Sequence, residues 1–345
     1  MEGAGAVGCM LLGNDKLPMQ EDRMALAVRP PARAYNRAVL AWLLLLLLLW
    51  AAGLLSLERS GRLPAPPITA THCIDEKFKF LRKTDLSMIT LLAVGSSVTH
   101  HSLDAGALRR HYGPAVKPIN AAPCYLRINQ IAFLTKFYLA HMPRVNTVLS
   151  VLAMRDFSDC ASNPAEFFDA NEAAAYIFER RSPWYLYFKN FRPVPFLRFV
   201  LDPPILENMD QYGWSPKELQ PDPRENVIVD ETCFTHLREL SHTLAARDIN
   251  FVGVLLPPMP AWLHKYDPQG VRDRAFRAAV ASHVYPQRTV LIDAAQGLEL
   301  TDQDFTDPAH IHAASVPTFM RYLLHELEKR EVPGTPPQSG GDDAL

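Results

Sequence analysis

An uncharged apolar segment at 38–57 constrains this chain more than any other feature. It runs for about 20 residues without a charged side chain, which as a helix is long enough to cross the ~30 Å hydrocarbon core of a bilayer. The leucines at 43–49 alone favour insertion by about 4 kcal/mol. The sequence therefore predicts one transmembrane helix near the N-terminus.

Basic side chains are more numerous before this segment than after it. Arginines stand at positions 23, 29, 33 and 37, whereas Arg59 and Arg62 follow it beside Glu58. The positive-inside rule then predicts a cytoplasmic segment over 1–37 and a single-pass protein of the inner (cell) membrane, with the remainder periplasmic. A cleaved signal peptide is the alternative, but its apolar core normally spans only 7–15 residues behind a short basic start. We therefore expect an uncleaved anchor.

The cysteines are compatible with that placement. Cys9 precedes the apolar segment, and Cys73, Cys124, Cys160 and Cys233 follow it. Four cysteines in an oxidising compartment permit two disulfides in three alternative pairings, and buried free thiols are the other possibility. Their spacing is not typical of a metal site, so we expect neither a metal nor a cofactor.

The composition of the rest of the chain predicts three regions, a stalk, a folded domain and a tail. The apolar fraction of 48% is enough for a sizeable core, and the net charge of −2 gives no basic surplus for nucleic-acid binding. A Pro-rich stretch predicts a stalk over 58–80. The polar, Pro- and Gly-rich end predicts a disordered tail over 332–345. An α/β domain is expected between them, over 81–331.

Short apolar runs alternate with amphipathic stretches through this domain. The predicted strands are 88–94, 116–120, 147–153, 250–256 and 289–292. The predicted helices are 102–111, 127–141, 230–247, 273–283 and 317–330. This alternation predicts a three-layer α/β/α architecture with a mainly parallel sheet, in which residues just after each strand are the best candidates for function.

One gap between predicted strands, at about 157–249, is too long for an ordinary crossover. It contains a cluster of aromatic and basic side chains around 184–199. We interpret it as an inserted helical lobe. Its aromatic side chains could stack on sugar rings, touch the bilayer, bind a membrane partner or pack on one another.

A small-residue turn, Gly95-Ser96-Ser97, follows the first predicted strand. Such a turn exposes a side chain above the sheet and points backbone N–H groups from a helix start toward developing negative charge. Ser97 is therefore a candidate nucleophile if a base lies nearby. The alternative is an ordinary helix N-cap.

The second motif, Asp307-Pro308-Ala309-His310, lies before the last predicted helix. An aspartate three residues before a histidine can fix the imidazole tautomer and stabilise the imidazolium that forms after proton transfer. Asp307 as a plain helix N-cap is the alternative.

Taken together, the two motifs resemble those of the SGNH/GDSL hydrolase superfamily. That family carries Gly-Asp-Ser or Gly-Ser-Ser after the first strand and Asp-x-x-His near the end. The resemblance covers roughly 86–330 and implies an SGNH/flavodoxin-like fold. It also implies that Ser97 is the nucleophile, Asp307 the orienting acid and His310 the general base.

The family's oxyanion donors are less well matched. They are the nucleophile's own N–H, a glycine N–H after the second strand and an asparagine side chain after the third. Here alanines follow the second strand, and we expect the N–H of Ala121 or Ala122 to contribute. Arg155 stands in the asparagine's place and could stabilise an oxyanion through its charge, or instead pair with Asp156 or Asp159.

Membrane-anchored proteins similar to this one often modify bacterial cell-envelope polysaccharides beside a multi-pass membrane O-acyltransferase. The resemblance thus implies O-acetyl or acyl transfer to a polysaccharide from an acyl ester. A carbohydrate or lipid esterase is the first alternative. A non-catalytic envelope protein that binds glycans or acts as a scaffold is the second.

Overall fold

The computed structural model describes residues 32–69, 71–201, 209–216 and 226–330. The chain divides into two compact units, Met1–Gly61 and Arg62–Leu345. The predicted tail at 332–345 and most of the predicted cytoplasmic segment lie outside the described residues, as do 202–208 and 217–225 of the insertion.

The described part of the first unit is a single helix, α1, over Ala32–Arg59. Its segment Arg33–Arg59 contains an 18-residue stretch with a mean hydropathy of 2.6 and is long and apolar enough to span a membrane. Most of its apolar side chains are exposed, with Trp42 and Leu40 each 65% exposed. The predicted apolar helix is confirmed, although it begins six residues before position 38.

The second unit is built on five parallel strands in the order β2-β1-β3-β4-β5. The bounds are β1 Leu91–Ala93, β2 Pro118–Asn120, β3 Thr147–Leu152, β4 Asn250–Leu255 and β5 Thr289–Asp293. Each strand forms within or beside a predicted apolar run. The residues of β3 and β4 are buried throughout, as continuous apolar runs covered on both faces of a sheet require.

Helices cover both faces of this sheet. The first nine bounds are α2 His72–Lys83, α3 Ser97–Ser102, α4 Ala105–Tyr112, α5 Ile128–Leu139, α6 Ala170–Ile177, α7 Leu186–Lys189, α8 Pro193–Leu201, α9 Thr232–Ala246 and α10 Pro260–Tyr266. The last two are α11 Val271–His283 and α12 Val316–Lys329. Leu92 lies in one apolar cluster with side chains of α2, α5 and α9, whereas its neighbour Leu91 lies in another with side chains of α4 and α12. The predicted α/β class with a parallel sheet is therefore confirmed.

Some elements differ from the prediction. The expected helix at 102–111 is replaced by α3 and α4, because the Asp104 side chain accepts a hydrogen bond from Ala107 N and starts a new helix. An antiparallel hairpin, β6 Phe305–Asp307 with β7 His310–Ile311, precedes α12. The insertion contributes α6, α7 and α8 before the crossover helix α9.

The predicted stalk at 58–80 does not stand apart from the domain. Backbone N–H groups of Ile68 and Thr69 donate to Asp75 Oδ1 at 3.1 and 2.7 Å. Phe78 of α2 is fully buried in the core. The second unit therefore begins well before the predicted boundary at 81, because its prolines interrupt helix and strand without preventing burial.

Two disulfides tie this unit together. Cys73 of α2 pairs with Cys124 after β2, and Cys160 after β3 pairs with Cys233 of α9. This is one of the three pairings that the sequence allows, and it replaces the alternative of buried free thiols. Each bond joins a helix to the carboxyl edge of the sheet.

Replacing both Cys160 and Cys233 by serine should lower the free energy of unfolding by about 4 kcal/mol, since the bond closes a loop across 73 residues. Urea denaturation of the detergent-solubilised full chain, followed by tryptophan fluorescence, measures this change. Cys9→Ser, which leaves both disulfides intact, is the control. An unchanged urea midpoint in the double variant would contradict the expectation.

Candidate active site

Ser97 is positioned by the turn that leaves β1. Gly95 is required there, because a Cβ at this position would stand 1.9 Å from Thr99 Oγ1. The Ser96 hydroxyl accepts a hydrogen bond from Val98 N at 3.1 Å and caps α3. Ser97 is thus the first residue of α3, at the carboxyl edge of the sheet. The N-cap role that the sequence left open belongs to Ser96.

His310 and Asp307 are presented by the hairpin β6–β7, at the end of one strand and the start of the other. Asp307 Oδ1 accepts a hydrogen bond from Ala309 N at 2.9 Å. The two carboxylate oxygens lie 2.8 and 2.7 Å from His310 Nδ1. The tight turn between the strands therefore directs the aspartate at the imidazole.

The contact between Ser97 and His310 completes the hydrogen-bonded group of three residues. Ser97 Oγ lies 2.9 Å from His310 Nε2, across a separation of 213 residues in the chain. Ser97 is 4% exposed, and His310 and Asp307 are 3% exposed. The three residues predicted from the two motifs therefore form a buried, continuous Ser-His-Asp hydrogen-bond chain.

The charge of Asp307 suits this arrangement. Burial opposes its ionisation, but the hydrogen bond and charge of His310, the Ala309 N–H and the Arg155 charge together lower its pKa. The carboxylate stays ionised and accepts the Nδ1–H proton of His310. Nε2 is then left to accept the hydroxyl proton of Ser97.

The predicted oxyanion role of Ala121 is wrong. Its N–H donates to Ala93 O at 2.9 Å, and Ala122 N donates to Asn120 Oδ1 at 3.1 Å. Both amides continue the pairing of β2 with β1 and its turn, so neither points toward Ser97. Asn120 itself, which the sequence analysis did not single out, uses its Nδ2 to donate to carbonyls of α3 and Leu103.

Arg155 lies in the turn after β3, as predicted. It lines a cavity of about 260 Å³ whose wall also includes Arg127, Trp262 and Asp307. The cavity therefore meets the triad on the side of Asp307. Arg127 therefore provides a second cation at this cavity. Its Nη1 donates to Arg155 O at 2.9 Å, and another of its nitrogens lies 4.0 Å from Asp159.

Asp156 lies behind the nucleophile turn and is almost completely buried. Its Oδ2 accepts a hydrogen bond from Ala153 N at 2.9 Å, and the Ser96 side chain is near enough to influence its ionisation. Burial is the largest influence on this carboxyl and raises its pKa. Asp156 thus connects the end of β3 to the turn that carries Ser97.

His100 and His101 are buried beside the triad. His101 Nδ1 lies 3.0 Å from Ser215 O, and because a carbonyl only accepts, Nδ1 carries the proton. Burial lowers the pKa of His101 to about 4. Donor atoms of His100, His101 and Cys124 lie within 4.8 Å of one another, but the Cys124 sulfur is already bonded to Cys73.

A short segment at 209–216 covers these histidines. Trp214 Nε1 donates to His101 O at 2.8 Å, and Asn120 N donates to Tyr212 O at 2.7 Å. The fully buried Lys77 donates from Nζ to Gly213 O at 2.7 Å and to Asn120 O at 3.0 Å. We call this segment, with the hydrogen bonds that hold it, the clamp. No sequence pattern predicts it, because each of these bonds is accepted by a backbone carbonyl, which every residue type provides.

No known family model matches this sequence, and no curated protein matches it either. The relation to the SGNH/GDSL superfamily therefore remains a prediction from the two motifs.

The contribution of His101 to the free energy of unfolding should fall in mild acid. Its ordinary pKa of 6.5 applies in the unfolded chain, which therefore binds the extra proton at a higher pH than the folded chain. The contribution of His101 to the free energy of unfolding is complete above pH 6.5 and is lost as pH falls toward about 4. The change in this free energy is on the order of 3 kcal/mol.

The measurement is urea denaturation of the full chain between pH 4.5 and 7. We expect a shallower decline in His101→Asn, whose side-chain amide can still donate to Ser215 O. His312→Asn, at a half-buried histidine whose capping role an asparagine can keep, is the matched control. An identical pH slope in His101→Asn and wild type would contradict the assignment.

Proposed function

We propose that this protein carries out serine-dependent acyl-group chemistry at the triad. The observation that carries the proposal is the contact of Ser97 Oγ with His310 Nε2 at 2.9 Å, with Asp307 on the opposite ring nitrogen. A serine becomes nucleophilic when an adjacent base takes its proton, and the orienting acid keeps that base in the productive tautomer. Ser97, His310 and Asp307 thus supply the nucleophile, the general base and the orienting acid that this chemistry requires.

In the proposed reaction, Ser97 Oγ attacks the carbonyl carbon of an acyl ester while His310 Nε2 takes the hydroxyl proton. The tetrahedral intermediate collapses, and His310 returns the proton to the departing alcohol. The acyl-serine is then resolved by an acceptor hydroxyl, whose proton again passes to His310. Asp307 keeps its hydrogen bond to Nδ1 throughout and stabilises the imidazolium.

The oxyanion of this reaction needs donors other than Ala121. Within the described chain the Ser97 amide makes no hydrogen bond, and it stands at the start of α3 where negative charge is favoured. The Arg155 charge already acts on Asp307 of the same triad. We assign the oxyanion role to the Ser97 N–H with Arg155 as the cationic partner.

The substrate assignment follows from the motif resemblance and the topology. We propose O-acetyl or acyl transfer to a cell-envelope polysaccharide, with a multi-pass membrane O-acyltransferase as the partner that supplies the acyl group. Two disulfides and the excess of arginines before the apolar segment 38–57 support a periplasmic position for the second unit. The parallel strand order β2-β1-β3-β4-β5 supports an SGNH-type, flavodoxin-like assignment of the fold.

A fluorophosphonate probe tests the triad, because it labels only a serine activated as a nucleophile. We expect labelling of the full chain and none of Ser97→Ala. Ser96→Ala, which removes the adjacent cap but keeps the nucleophile, is the matched control. Asp307→Asn should label about 10⁴-fold more slowly, since the imidazole loses its productive tautomer.

No labelling of the folded wild-type protein would reject the enzyme. It would support the alternative of a non-catalytic glycan-binding or scaffolding protein. Retention of both disulfides in each variant, measured by mass spectrometry under non-reducing conditions, separates a lost nucleophile from a misfolded chain.

Transfer and hydrolysis differ only in the acceptor that resolves the acyl-serine. We expect an acetyl-ester donor and an envelope oligosaccharide, incubated with the full chain, to yield acetylated sugar that Ser97→Ala does not form. Mass spectrometry of the sugar and an assay for free acetate measure the two outcomes. Acetate as the sole Ser97-dependent product would favour the esterase alternative.

A further inference from the structure

Helix α8 exposes an unusually apolar surface. None of its nine residues is buried, although all except Arg198 are apolar. Val194, Leu197 and Leu201 are 74%, 56% and 80% exposed, and their spacing places them on one face of the helix. Single exposed hydrophobic residues are ordinary, but a continuous apolar face marks an interaction surface.

The opposite face of α8 packs on the start of the domain. The Phe199 ring lies 4.6 Å from the ring of His72, and the Phe196 ring lies 5.5 Å from Phe191 and 6.3 Å from Tyr187. Packing within the lobe therefore uses Phe196 and Phe199. It leaves the face of Val194, Leu197 and Leu201 facing outward.

The surroundings of this face resemble a membrane-surface segment. The stretch 183–201 contains three basic residues, no acidic residue and an aromatic pair at Trp184 and Tyr185. Apolar, aromatic and basic side chains together are typical of helices that lie in the bilayer interface. Stacking on sugar rings uses aromatic faces, whereas the most exposed side chains here are aliphatic.

Chain connectivity keeps the lobe near the end of α1. That helix ends at Arg59, and Tyr187 Oη donates to Pro64 O at 2.5 Å while Asn190 Nδ2 donates to Pro67 O at 3.0 Å. Five residues span at most about 18 Å. When α1 crosses a bilayer, Pro64, to which the lobe is hydrogen-bonded, is therefore within about 18 Å of the end of α1 along the chain.

We propose that the outer face of α8 lies in the headgroup region of the same bilayer that α1 crosses. Val194, Leu197 and Leu201 point toward the acyl chains, and Arg198 faces the phosphates of anionic phospholipids. The occupant of this surface is the lipid bilayer. The proposal depends on α1 spanning the membrane and is independent of the chemistry at Ser97.

The test uses the full chain in vesicles of phosphatidylcholine and phosphatidylglycerol that contain a nitroxide-labelled lipid. Cys9→Ser removes the thiol outside the disulfides, and Leu197→Cys introduces a site for a bimane fluorophore. Ile228→Cys, which is 78% exposed but outside 183–201, provides the matched control. We expect several-fold stronger lipid quenching at 197 than at 228.

Adding Arg198→Glu should reduce the quenching at 197 in these vesicles and have less effect in vesicles of phosphatidylcholine alone. Equal quenching at 197 and 228 would overturn the proposal. So would a bimane at 197 that is shielded from lipid but transfers energy to a labelled second copy, since the surface would then be a dimer contact. Unchanged fluorophosphonate labelling in Leu197→Cys and in Leu197→Cys with Arg198→Glu would show that the site is intact.

Discussion

The contact between Ser97 Oγ and His310 Nε2 is the constraint that organises the domain. It joins the turn after the first strand to the hairpin after the last, across 213 residues. Parallel strands place all their carboxyl ends along one edge, and β1 lies between β2 and β3 in that sheet. The hairpin β6–β7 then returns the chain to that edge. A single register shift in the sheet would separate the two groups.

The triad was predictable because it depends on residue type and order. Ser97 follows a strand, and Asp307 stands three residues before His310, so sequence patterns carry both relations. The strands were predictable for the same reason, since Thr147–Leu152 and Asn250–Leu255 are continuous apolar runs. The Ala121 amide was not, because its partner Ala93 O is set by the strand register, which side-chain identity does not encode.

The clamp at 209–216 over His100 and His101 could not be predicted from the sequence for a related reason. Lys77 falls within the predicted stalk over 58–80, for which no burial was expected. In the fold its ammonium ends on the carbonyls of Asn120 and Gly213, with burial lowering its pKa far below the ordinary value. The prediction of a separate stalk over 58–80 was wrong for the same reason. The prolines at 64–67 indicate an irregular backbone but do not show whether the domain buries it.

Burial of the nucleophile has a consequence for timing. With Ser97 only 4% exposed, an acyl group bound to it would be shielded from bulk solvent. The lifetime of such an intermediate would then depend on which hydroxyl compound reaches it from the cavity beside Asp307. Slow access of water would leave time for a bulky, infrequent acceptor to arrive.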